Sequence, residues 1–383
     1  MKRIGNLEKR FVQNVLDSQF SASKSTNYNE LLQKIVCKKF KCKYAIPLAN
    51  GTAGLHVALL SLNIKKGDEV IVPSLTMSST AISVILAGGV PKFADIDPNT
   101  LTIDPKSIKK LINSKTRGLI TVSVYGLMPK FSEIKQIVRS KNIFLIEDNA
   151  ECFLGKDEKR FDGAYGDFSM YSFQSSKHIT CGNGGILTTN NKKLMTRAKE
   201  ISNLGYPLGR KKSFKRVNIQ DPNFSRHVTL GLNYRLPELC AAVAYAQMKR
   251  INELVNARIT AAKSFINILK NYDFIKLQHV PKKYKHTYWS CAFVLDVKSE
   301  KDWYKFKAIF NKNKGDFFYS AWKPAYLEPF FTKYKVKHNC PVAEYSQKRI
   351  IQLKTNYWDA SQLKRQVKIL EQTLNEFKKV YVS

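Results

Sequence analysis

The strongest constraint on the fold is a rhythm in the apolar residues. Short apolar runs of strand length alternate with stretches of helical apolar spacing. The runs are Val70-Ile71-Val72-Pro73, Val90 to Ile96, Gly118 to Val124, Ile143-Phe144-Leu145-Ile146 and Gly184 to Thr189. Helical spacing falls at residues 29–44, 56–62, 80–86, 131–140 and 192–203. Glycines punctuate the joins, as in Lys65-Lys66-Gly67-Asp68-Glu69 and Gly88-Gly89. Parallel strands need crossover connections, and helices supply them. The rhythm therefore predicts an α/β architecture with a mainly parallel sheet flanked by helices. A long alanine-rich helix is expected from Pro237 to Leu254, carrying on past Ala257, and near residue 250 the alternation fades. Beyond it the spacing predicts a strand over 285–296 and an amphipathic helix over 361–378. The chain of 383 residues thus reads as a large α/β domain, 1–250, and a smaller C-terminal α+β domain, 251–383.

In sheets of this kind ligands gather at the carboxyl ends of the strands. The run Ile143–Ile146 ends in Glu147-Asp148-Asn149-Ala150-Glu151. Further on comes Ser172-Phe173-Gln174-Ser175-Ser176-Lys177-His178-Ile179-Thr180-Cys181-Gly182-Asn183-Gly184-Gly185. A strand that delivers a carboxylate, followed by a lysine in a Ser/Gly-rich segment, suits pyridoxal 5'-phosphate (PLP). That cofactor needs a lysine for a Schiff base and an acid beside its pyridine nitrogen. Asp148 would hold the protonated nitrogen, and Lys177 would also move the proton as general base. Asn50-Gly51-Thr52-Ala53-Gly54 precedes a helix, whose first N–H groups, with the Thr52 hydroxyl, can hold a phosphate. Ser172 offers a second contact, and Gly182-Asn183-Gly184-Gly185 a tight turn that lets the backbone pass the cofactor. Taken singly, each piece has an ordinary reading. Asp148 could cap a turn, Asn50 could cap a helix, and Lys177 could be a surface lysine. The conjunction carries the assignment.

Charge points elsewhere at first sight. The chain has 64 Lys and Arg against 30 Asp and Glu, a net charge of +34. Nucleic-acid binding is one reading of such an excess. Here the basic residues are spread from Lys2 to Lys379, and the densest runs, such as Arg210-Lys211-Lys212 and Lys282-Lys283, are short. No basic stripe forms, so nucleic acid is not the expected partner. Such a field still draws anionic small substrates. Seven cysteines without a CxxC pair fit reduced thiols in a cytoplasm. Cys37 and Cys42 lack a second pair at finger spacing, so no metal is expected. No apolar stretch reaches roughly 18 residues, which argues against a membrane span. Met1 to Glu8 is too polar for a secretory leader.

Several segments, in order, resemble the sugar aminotransferases of the DegT/DnrJ/EryC1/StrS type. They are Asn50–Ala53, Gly67–Pro73, Phe93–Asp97, Glu147–Glu151, Ser172–Lys177, Gly182–Gly185, Gly231-Leu232-Asn233-Tyr234-Arg235 and Cys340-Pro341-Val342-Ala343-Glu344. The resemblance runs from about Leu48 to the C-terminus and implies the type I, aspartate-aminotransferase-like fold of PLP-dependent transferases. It implies Lys177 as the Schiff-base lysine and Asp148 as the pyridine partner. Glu151 would lie near the ring hydroxyl and the lysine, and Gly51, Thr52 and Ser172 would hold the phosphate. Asn233 is similar to an asparagine that reaches the phosphate of the neighbouring subunit, which implies a homodimer with shared sites. Relatives that dehydrate a sugar carry histidine at the lysine position, so Lys177 favours transamination. Three positions depart from the pattern. Met77 follows Pro73-Ser74-Leu75-Thr76 where an aromatic ring often stacks on PLP, and a thioether can pack there instead. Asn183 replaces an acid, and Asn149 a small residue. The implied reaction takes an amino group from an amino acid, glutamate, to a nucleotide-linked keto-sugar for amino-sugar and surface polysaccharide synthesis. A free keto-cyclitol is the alternative substrate, since Gln174 resembles cyclitol-acting relatives. A non-catalytic regulator on the same fold is the alternative class, against which Lys177 and Asp148 both argue.

Overall fold

A computed structural model describes residues 2–21, 27–207, 221–332, 334 and 338–382. The basic run Arg210-Lys211-Lys212 lies outside the described residues. Seven strands form one sheet: β1 (Tyr44–Leu48), β2 (Glu69–Pro73), β3 (Val90–Ala94), β4 (Thr116–Val122), β5 (Phe144–Asp148), β6 (Phe168–Ser172) and β7 (Gly185–Thr189). Their order is β1-β7-β6-β5-β4-β2-β3. The run from β3 to β6 is parallel, while β7 is antiparallel to both its neighbours. Period-two burial serves both faces of this sheet. Val70, Val72, Ile120 and Ile146 join one apolar cluster, with Leu55, Val57 and Leu59 of the helix Gly51–Ser61. Ile71, Leu119 and Leu145 join another, with Ile134, Ile137 and Val138 of the helix Phe131–Lys141.

Two strands of this sheet, β1 and β6, have no counterpart in the expected pattern, and neither do β8 (Ile275–Leu277), β10 (Phe318–Ser320) and β11 (Ile350–Lys354) further along the chain. The helical spacing read over 29–44 stops at Phe40, because Lys41 turns left-handed (φ 54°, ψ 38°) and Cys42 N donates to the Cys37 carbonyl. Tyr44 then opens β1, an edge strand, which is where Pro47 can be tolerated. All five residues of β6 are buried, so its two serines break the apolar run without marking a solvent face. The helix expected to run from Pro237 past Ala257 is two helices, Glu238–Lys249 and Ile251–Leu269, broken at Arg250 (φ −103°, ψ 7°). Arg250 bonds to Glu8 of the helix Asn6–Asp17 (2.9 Å), a tertiary contact that apolar periodicity does not register.

A second sheet, wholly antiparallel, has the order β10-β11-β9-β8. Its strands are β8 (Ile275–Leu277), β9 (Ser290–Leu295), β10 (Phe318–Ser320) and β11 (Ile350–Lys354). β9 answers the strand expected over 285–296. Its Cys291, Phe293 and Leu295 pack under Phe265, Phe306 and Phe377. Its alternate residues, Ala292 and Val294, belong to the same cluster as Val72 and Phe93 of the first sheet. One apolar core therefore runs between the sheets. Two of the segments singled out in the sequence meet at this seam. Asp95 accepts from Val342 N (3.0 Å) and Ala343 N (2.9 Å), at the start of the helix Pro341–Gln347. Among the described residues no helix is long and apolar enough to cross a membrane, and no His/Cys/Asp/Glu cluster could hold a metal.

Candidate active site

A cavity of about 820 Å³ opens at the carboxyl ends of the parallel strands, and both sheets line it. The first sheet and its loops contribute Gly51, Thr52, Met77, Asp148, Glu151, Ser172 and Lys177. The second contributes Trp289, Tyr319, Trp322 and Gln352. The volume is that of a small-molecule site.

Asp148 ends β5 and is 4% exposed. Its Oδ1 accepts from Ala150 N (3.1 Å) and its Oδ2 from Thr80 Oγ1 (3.2 Å). Burial pushes the carboxyl up to about 6, against the pull of the Ala150 N–H and Lys177. A buried acid so placed is ready for a cationic partner. Lys177 stands on the turn after β6. Gln174 shapes that turn: its Oε1 accepts from Ser176 N and Ser176 Oγ, both at 2.7 Å, and its carbonyl accepts from Lys177 N (3.0 Å). Gln174 thus shapes the turn, and it also lines the cavity. The Lys177 amine lies 3.1 Å from Glu151 Oε1 and 4.3 Å from the centroid of the Trp289 ring. The other oxygen of Glu151 accepts from Tyr125 N (2.9 Å). Tyr125 itself is held at φ 60°, a conformation that bulky residues seldom adopt.

The start of the helix Gly51–Ser61 also lines the cavity. Asn50 caps it by accepting from Ala53 N (2.8 Å), so the Gly51 and Thr52 N–H groups remain without intrahelical partners. Gly51 packs against Ser172, since a Cβ at Gly51 would fall 3.2 Å from the Ser172 Cβ. The Gly-rich turn serves the chain's own backbone. Gly182 sits at φ 86°, and a Cβ on Gly185 would meet the Asn50 carbonyl carbon at 2.7 Å. The glycines therefore let the phosphate-type loop lie against β7.

Met77 lines the cavity and is 49% exposed. Asn149 faces inward: its Oδ1 accepts from Ser123 Oγ (2.7 Å) and its N–H goes to the Met170 carbonyl. Asn233 is not among the residues lining the cavity of its own chain. Its Oδ1 accepts from Arg235 Nε (2.9 Å), while the adjacent Tyr234 does line the cavity and sits 3.3 Å from His56 Nδ1. Sequence reasoning missed the aromatic wall. Trp289 and Trp322 stack at 6.0 Å, and Trp322 and Tyr125 at 6.4 Å. The available signal was that the chain has four tryptophans and one stands in an expected strand. Together the residues fit PLP. The buried acid suits a protonated ring nitrogen, the free helix N–H groups and hydroxyls suit a phosphate, and the half-enclosed amine suits an aldehyde.

The sequence profile of the DegT/DnrJ/EryC1/StrS aminotransferase family matches residues 2–368. Over 298 residues, 77% of either chain, the sequence is 32% identical to the GDP-perosamine synthase of Escherichia coli O157:H7. The aminotransferase from Psychrobacter cryohalolentis superposes with a TM-score of 0.89 at 23% identity, covering 98% of both chains. The E. coli GDP-4-keto-6-deoxy-D-mannose-3-dehydratase with bound hydrated PLP superposes with a TM-score of 0.86 at 23% identity, over 97% of this chain and 98% of that one.

Proposed function

The chain belongs to the DegT/DnrJ/EryC1/StrS aminotransferase family, and on that premise we propose that it is a PLP-dependent enzyme that aminates a nucleotide-linked keto-sugar. The observation that carries the reading is the convergence of Lys177, Glu151, Asp148 and the N-terminus of the helix Gly51–Ser61 on one cavity. Bound PLP supplies an electron sink for the pair left when the substrate's C–H bond breaks. The protein's residues do the rest. Asp148, deep in the cavity, would hold the ring nitrogen protonated, and the match would relieve its own buried charge. Gly51, Thr52 and Ser172 would bind the phosphate, the first two through a helix N-terminus. Lys177 would be the amine for covalent attachment and the base that holds and moves the proton. Glu151 fixes that amine by their 3.1 Å contact. Met77 would pack on the ring.

The amino donor in this reading is glutamate. The net positive charge favours a diphosphate-linked acceptor, and the E. coli and Vibrio cholerae relatives are named for GDP-perosamine. The reading includes a division of the chain near residue 250, supported by the separate antiparallel sheet. It also includes a cytoplasmic homodimer, in which Asn233, which does not line its own cavity, would serve the partner's phosphate. The test is amination of a GDP-linked keto-sugar by the PLP-loaded protein with glutamate, followed by mass spectrometry. GDP should compete, and competition should weaken with salt. Amination of a free keto-cyclitol without nucleotide competition would move the assignment to that substrate class.

A further inference from the structure

Two arginines meet at the carbonyl of Lys177. Arg258, on the helix Ile251–Leu269, is 1% exposed. Its Nη2 donates to the Ser176 carbonyl (2.7 Å) and the Lys177 carbonyl (3.0 Å). Its Nη1 donates to the Trp289 carbonyl (2.8 Å) and to Thr355 Oγ1 (3.2 Å). Trp289 in turn donates from its indole to the Ser176 carbonyl (3.0 Å) and lays its ring under the Lys177 amine. Arg3, near the start of the chain, adds a third donor, from Nη2 to the Lys177 carbonyl (2.7 Å). Gln247 holds Arg3 in place by donating to its carbonyl (2.9 Å).

We propose that Arg258, seconded by Arg3, is a positioning residue that ties the second sheet to the Lys177 turn and sets where the Lys177 amine stands. The inference rests on the reading of Lys177 as the amine that takes the cofactor. Its physical basis is cost. Burying a guanidinium among carbonyls and a hydroxyl is expensive, and an apolar side chain would fill the same space more favourably. Burial and the neighbouring Arg3 push Arg258 down to about 9, and the charge of Glu151 opposes them. Packing alone does not require that expense. Holding two consecutive carbonyls of a turn to a strand end from another sheet does, because only a planar fork with several donors reaches all four acceptors.

The test uses Arg258→Met, which keeps an apolar stem, and Arg258→Lys, which keeps the cation and loses the fork. Cofactor-free protein is mixed with increasing PLP, and the growth of the visible absorption band is followed. Arg258→Met should lower the saturating rate about tenfold or more, since small misplacements cost that much, with the half-saturating concentration little changed. Arg258→Lys should recover part of the rate. In the cofactor-free protein, amide exchange over 174–180 should rise about tenfold in Arg258→Met, an opening that the clamp now opposes. A saturating rate within twofold of wild type together with unchanged exchange would overturn the proposal. Absence of a visible band in the wild-type protein, with faster exchange in Arg258→Met, would remove the cofactor reading and leave the clamp standing. Should Arg258→Met not fold, the wild-type and Arg258→Lys pair carries the same two readouts.

Discussion

Asp148→Asn separates what Asp148 costs from what it does. In the cofactor-free protein its carboxyl is pushed up to about 6 from an ordinary 3.8, chiefly by burial. A displacement of about 2 units corresponds to about 3 kcal/mol. The sign follows from linkage. The folded state holds this proton more tightly than the unfolded chain does. The associated stability is therefore complete below about pH 4 and is lost as pH rises through about 6. Asparagine cannot ionise. It keeps an oxygen for the Ala150 N–H and can donate to the Thr80 hydroxyl, the two bonds the aspartate makes now. Cofactor-free Asp148→Asn should therefore gain up to about 3 kcal/mol over wild type at pH 8, and about half of that at pH 5. In melting temperature that is at most roughly 4 °C at pH 8. Transamination should move the other way, falling about 10²-fold or more, because a neutral amide cannot hold a pyridinium charge. Thermal scans of cofactor-free protein at the two pH values, beside steady-state amination, make the assay. A variant no more stable than wild type at pH 8, or one that aminates at the wild-type rate, would refute the reasoning.

Gly185→Ala should weaken PLP binding without touching a cofactor-facing side chain. The new methyl meets the Asn50–Gly51 backbone at 2.7–2.8 Å and must displace the start of the helix, at a cost of about 1–3 kcal/mol in stability. Equilibrium dialysis with PLP and a denaturant titration check both, and unchanged affinity would count against the helix N-terminus as the phosphate site. Lys177→Ala and Asn233→Ala should each be inactive as homodimers, yet mixing them after subunit exchange should restore one working site per mixed dimer. Recovered activity measures this, and no recovery with exchange verified by mass would argue against a shared site.

The sequence disclosed the parts whose signals are local. Strands β2, β4 and β5 are covered on both faces, so they read as apolar runs, and Asp148 follows from the end of such a run. Lys177 stood out because a lysine in a Ser/Gly-rich turn at that distance from the acid has few other uses. Strand β6 stayed hidden because its buried Ser169 and Ser172 look polar, although the ladders with β5 and β7 place them in the interior. Strand β1 stayed hidden behind Pro47, which only its edge position permits. The aromatic wall and Arg258 belong to no motif. Trp322 lies outside the regular strands, and Arg258 reads as one more cation on an amphipathic helix until the fold buries it. Helical periodicity likewise ran through Arg250, because a single non-helical residue between two helices leaves the apolar spacing nearly intact.

The most direct test of the account is to find where the cofactor attaches. The protein is incubated with PLP, treated with borohydride to make the attachment permanent, digested, and mapped by mass spectrometry. The account predicts a single labelled peptide with the added mass on Lys177, loss of that label in Lys177→Ala, and protection of the visible band against dilution only where Lys177 is intact. Labelling spread over other lysines with Lys177 unmodified would contradict it, as would a Lys177→Ala protein that still aminates a keto-sugar at the wild-type rate.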